Sequence, residues 1–69
     1  MQQFIKKMIT ERDDLKGKIS RDKKALENPP YGSDREGLNL LETQVGFMEQ
    51  YLDVLERRIN YEVGKCGKQ

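Results

Sequence analysis

Apolar residues recur along this chain in steps of three and four, interrupted once. From about residue 2 to 27, Ile5, Met8, Leu15, Ile19 and Leu26 fall on one heptad seam. Arg12 and Asp22 occupy seam positions where an apolar residue is expected. Phe4 and Ala25 flank the seam on one side and Ile9 on the other, and Gly17 lies on the far face. The spacing predicts a helix.

The interruption is "NPPYGSDREG". Asn28 precedes a proline, which disfavours its helical conformation. Pro29 and Pro30 end the first helix, and Tyr31-Gly32 carry the chain around. Ser33-Asp34-Arg35-Glu36 matches a capping box, with the Ser33 hydroxyl on one backbone N–H and Glu36 reaching back to another. A second helix is therefore expected over 34–63.

In that helix Leu38, Leu41, Val45, Met48, Leu52, Leu55 and Ile59 form an unbroken seam. A second stripe, Leu40, Phe47, Val54 and Tyr61, runs beside it at seven-residue intervals. Gln44, Tyr51 and Arg58 lie between the two stripes. Together they fill an arc of roughly 160°. Glu42, Glu49 and Glu56 repeat on the polar side and read as a solvated face.

A single seam asks for one partner helix, and an arc this wide asks for two. The first helix can cover the main seam as an antiparallel hairpin. The Leu40–Tyr61 stripe would then stay exposed in a monomer and invite association through the second helix. The alternative is that the first helix rolls over and covers both stripes. The expected fold is all-α: an antiparallel two-helix hairpin (helix 2–27, turn 28–33, helix 34–63) that associates into a helical oligomer. Residues 64–69, a glycine-broken polar tail, are expected to be flexible.

Composition narrows the function. A chain of 69 residues forms one small domain, and such domains usually need a staple. One cysteine, Cys66, permits no internal disulfide, and with no histidine a zinc site is not expected. Self-association is the remaining staple. With 13 basic and 12 acidic residues the net charge is +1, which argues against bulk binding of DNA or RNA. No apolar run approaches the length of a membrane span. The N-terminal stretch carries acids early and does not read as a signal peptide. A single thiol in the tail fits a reducing, cytoplasmic setting.

No residue set suggests catalysis. Without histidine, neither serine nor Cys66 has a partner base. Asp13-Asp14 read as a solvated pair rather than an acid/base couple. The chain is read as a non-enzyme without cofactor or metal.

Binding residues are easier to nominate. Arg12 either snorkels from the seam, pairs with an acid, or offers its fork to a phosphate. Tyr51 and Arg58 share one side of the second helix, where they could stack on a base and hold a phosphate, or line an oligomer interface. Lys24 suits the negative end of the first helix and lies near the break. Arg35 stands at the positive start of the second helix, where an anion is favoured. Neither the turn nor the cap demands Tyr31 or Arg35.

In the second helix, Gln44-x3-Met48-x2-Tyr51-x3-Leu55-x2-Arg58-Ile59 resembles a signature of small phage-encoded proteins. Phe4-Ile5-x2-Met8-x2-Glu11-x3-Leu15-x2-Lys18-Ile19 resembles the companion half. The pattern is similar to the helical-hairpin domain of phage anti-CBASS and anti-Thoeris sponges. The resemblance implies a non-enzymatic homo-oligomer, commonly a hexamer, that sequesters cyclic oligonucleotides or cyclic ADP-ribose variants in the infected bacterial cytoplasm. A site of that kind needs basic groups and stacking rings, and Arg12, Lys24, Tyr31, Arg35, Tyr51 and Arg58 are the residues nominated. The competing reading is a module whose exposed stripe docks a partner helix.

Overall fold

The computed structural model describes residues 3–67, with side chains described to residue 65. It contains two helices, α1 (Gln3–Glu27) and α2 (Arg35–Gly67), packed antiparallel into a rod of 55 × 15 × 15 Å. Among the described residues there is no strand, and no helix is long and apolar enough to cross a membrane.

The two heptad seams meet along the hairpin. Ile5, Met8, Leu55 and Ile59 form the central buried cluster, with Ile9 packed against it. Ile5 and Leu55 are almost wholly buried. Each such side chain contributes about 2 kcal/mol of burial free energy. This cluster lies toward the open end of the rod. Nearer the turn, Ile19 and Val45 are the buried residues. Between them and the turn, the Asp22 carboxylate keeps Oδ2 buried with no hydrogen-bond partner. The core is strongest away from the turn and thinnest beside it.

The break works much as its residues dictate. The Asn28 N–H donates to the Lys24 carbonyl at 2.9 Å and closes the last turn of α1. The prolines then stop it. Gly32 has φ +89°, a left-handed conformation that side-chain-bearing residues rarely adopt. The cap, however, differs from the expected capping box. The Ser33 hydroxyl donates to the Pro30 carbonyl at 2.7 Å, and the Ser33 N–H donates to the same oxygen at 3.1 Å. Asp34 is the N-cap: its Oδ1 accepts from the Gly37 N–H at 2.7 Å, and its carbonyl accepts the first helical bond from Leu38. Ser33 is drawn back into the turn because Pro30 presents a carbonyl three residues upstream. The neighbouring carboxylate then takes the cap.

At the other end α2 runs to Gly67, past the expected end at Val63. Residues 64–67, expected to be part of a flexible tail, are helical, while 68 and 69 lie outside the described residues. Gly64 sits in an open stretch of surface where its lack of a side chain costs propensity but disturbs no packing.

Candidate functional site

The hairpin has two unlike edges. On one, Lys16 pairs with Glu56 at 3.4 Å, and Lys23 pairs with Glu49. Each step of seven residues down α1 is met by a step of seven up α2, as an antiparallel register requires. The glutamate row is therefore not merely a solvated face, since two of its members bridge the helices. The signal was present in the sequence as lysines repeating at the same interval on α1. A shallow groove of about 360 Å³ runs along this edge, between Lys16, Ser20 and Lys23 of α1 and Glu49 and Leu52 of α2.

On the other edge Tyr51 of α2 donates its hydroxyl to the Glu11 carboxylate of α1. The hydrogen bond, the loss of water around the ring and the negative charge of Glu11 all hold the phenol's pKa above its ordinary value. The Arg58 guanidinium opposes them. Arg58 is thus close enough to act electrostatically on Tyr51, and the structure brings these two nominated residues onto one edge.

Arg12 is not part of that group. Its guanidinium bonds Asp13, with Nε 3.1 Å and an amino nitrogen 3.0 Å from Oδ1. At about 100° per residue, Glu11 and Asp13 project to opposite sides of Arg12. A head group held by Asp13 is turned away from Tyr51.

The remaining three nominated residues gather at the turn end. Lys24 is exposed in the last turn of α1, and Tyr31 is fully exposed at the tip. Arg35 opens α2 and lines a groove of about 360 Å³ with Glu36, Asn39, Leu40 and Thr43. Tyr51 lies 16 residues further along the same helix, about 24 Å away in axial rise. One small ligand cannot touch both groups on a single chain.

The apolar stripe that runs between these groups is uncovered. Leu40 and Phe47 are each 67% exposed, Val54 52% and Tyr61 64%. The first helix covers only the main seam and does not roll over the second stripe. At the far end, the Lys65 ammonium lies 5.4 Å from the centre of the Tyr61 ring. Sequence reasoning placed Tyr61 in the stripe but did not nominate Lys65 beside it, and missed Asn39 and Thr43 in the groove. The last three are ordinary exposed helix residues until the groove and the stripe are seen together.

The exposed surface thus offers basic heads, aromatic rings and an apolar strip. No curated protein and no solved structure matches the chain. The Sequestin family model matches residues 2–61, all of α1 and most of α2, and the chain belongs to the Sequestin family.

Proposed function

We propose that the protein is a phage-type anti-defence sponge. It binds a cyclic nucleotide immune messenger, of the cyclic oligonucleotide or cyclic ADP-ribose type, in the infected cell's cytoplasm and holds it without cleaving it. The observation that carries this reading is membership of a family whose name denotes sequestration. The exposed basic and aromatic groups support it. Arg35 presents a guanidinium fork in a groove that Leu40 also lines, suited to a phosphate beside a base. Lys24 and Tyr31 add a cation and a ring at the same end. Tyr51 and Arg58 offer a second ring and cation along the edge, whereas the Arg12 head is taken up by Asp13 and adds no contact there. A rod two helices thick cannot enclose a cyclic nucleotide, so the pocket is completed between chains of a homo-oligomer. Retention requires affinity alone.

Thermal melts with cyclic di- and trinucleotides and cyclic ADP-ribose isomers test this directly. A bound messenger at a hundred times its Kd stabilises the fold by about 2.7 kcal/mol. The messenger should be recovered intact from the heated complex, and Arg35→Ala should weaken it. The absence of a shift with every messenger, or recovery of a cleaved product, rejects the sponge.

The uncovered stripe favours a second reading, a helical module that docks an amphipathic partner helix. A stable complex with a host protein, together with indifference to every messenger, would select it.

A further inference from the structure

The exposed side of α2 is more ordered than a greasy patch. Leu40, Gln44, Phe47, Tyr51, Val54, Arg58 and Tyr61 alternate in steps of four and three. That is a second heptad seam, turned from the one that packs on α1 by about 110°. It spans about 32 Å of helix. Its apolar members are more than half exposed, and Tyr51 is 45% exposed. The rod has no third layer to cover it.

We propose that this seam pairs with the same seam of a second copy, antiparallel, about a two-fold axis at Tyr51. The residues match in that register. Phe47 meets the partner's Val54, and Leu40 meets the partner's Tyr61. The two Tyr51 rings face one another on the axis. Gln44 lies beside the partner's Arg58, and its amide oxygen can accept from that guanidinium. On the flank, Thr43 faces the partner's Arg57, and Glu36 comes level with the partner's Lys65. No like charges oppose. In the parallel arrangement Arg58, on the seam line, would face its own copy, which costs free energy at a partly dry interface. Charge complementarity therefore selects both the occupant, a second copy, and its direction.

The pairing also completes the groove at Arg35. That groove is lined in part by Leu40. The partner's Tyr61 would lie over Leu40 and bring the partner's Lys65 with it, since these two already pack together within one chain. Each groove thereby gains a ring and a second cation, and the dimer holds two such grooves. The pairing itself rests on the seam and its charges, independently of what the groove binds.

Crosslinking without ligand tests it. In a Cys66→Ser background, Thr43→Cys and Arg57→Cys variants are treated with a short bis-maleimide, separately and mixed. The mixture should yield a Thr43–Arg57 conjugate, and neither variant alone should conjugate efficiently. Failure of the mixture to conjugate overturns the proposal, as does efficient conjugation within an Arg58→Cys variant alone, since Arg58 faces its own copy only in the parallel arrangement. A wild-type chain that sediments as a monomer at micromolar concentration, including one that then captures a foreign helix, overturns it as well. Phe47→Glu should keep its helical circular dichroism, since Phe47 is exposed, and lose the dimer. A Phe47→Glu variant that remains dimeric also overturns the pairing. Because no messenger is present, these outcomes are read separately from the sponge.

Discussion

Tyr51 on α2 and Glu11 on α1, 40 positions apart in sequence, are joined by a hydrogen bond from the phenol to the carboxylate. The bond needs the phenol protonated, and it is the main reason that Tyr51 ionises above its ordinary value of 10.0. A pKa raised by folding stabilises the folded state fully below the unfolded value and is lost as pH rises through the folded one. Wild type should therefore lose stability relative to Tyr51→Phe as pH climbs above about 10. Paired thermal melts across that range check it, because the lysines common to both chains cancel. Spectrophotometric titration should show a step above the ordinary tyrosine range that Tyr51→Phe removes. A titration curve without that step would remove the basis of this account.

The cap at Asp34 makes a second prediction. Asp34→Ala removes the acceptor for the Gly37 N–H and should cost about 1 kcal/mol in denaturant unfolding. Ser33→Ala should cost less, since its hydroxyl serves the Pro30 carbonyl in the turn. A larger loss at Ser33 would restore the capping box that the sequence suggested.

The same cap separates two glycines. Gly→Ala within an exposed helix gains about 1 kcal/mol from propensity. At Gly46 nothing lies within 4 Å of an added Cβ, so the gain should appear. At Gly37 the Cβ would sit 2.7 Å from Asp34 Oδ1, and the carboxylate must shift off its N–H. Gly37→Ala should therefore gain little or nothing. Equal gains at both sites would mean that the Asp34 contact is easily surrendered.

Most of the hairpin was legible because period and punctuation agree. The α2 seam from Leu38 to Ile59 is unbroken, and Pro29-Pro30 allow only one place for the chain to reverse. The cap was misread because Ser33 and Asp34 are both good caps, and only the backbone around Gly32 decides which carbonyl Ser33 can reach. The helix-to-helix rungs were also missed. Lys23–Glu49 and Glu11–Tyr51 depend on a register that neither helix displays by itself. For the candidate site, residue types named Arg35, Tyr51 and Arg58, but only the rise of α2 shows that they fall into separate groups.

The lysine–glutamate edge should be worth little singly but should report register. Lys16, Lys23, Glu49 and Glu56 are each about half exposed, so each bridge is worth between zero and about 1 kcal/mol. Glu49→Lys sets like charges across from Lys23 and should lower the midpoint slightly, more so at low salt. Adding Lys23→Glu should recover most of the loss. A double exchange that is no better than the single one would show that these residues do not face each other in solution.

Asp22 gives the sharpest test of what the seam is for. Its Oδ2 is buried without a partner between Ile19–Val45 and the turn. A buried polar atom left unsatisfied costs about 1–3 kcal/mol, and aspartate is also a poor residue for a helix interior. Asp22→Leu continues the α1 seam and should stabilise the hairpin by about 1–3 kcal/mol. Asp22→Asn keeps a polar group in the same place and should gain far less. Urea unfolding of the three chains decides between them. A Leu variant that is less stable than wild type would mean that Oδ2 meets a donor in the assembled protein. A Leu variant that is more stable but no longer retains a messenger would mark Asp22 as a residue kept for binding at the expense of the core.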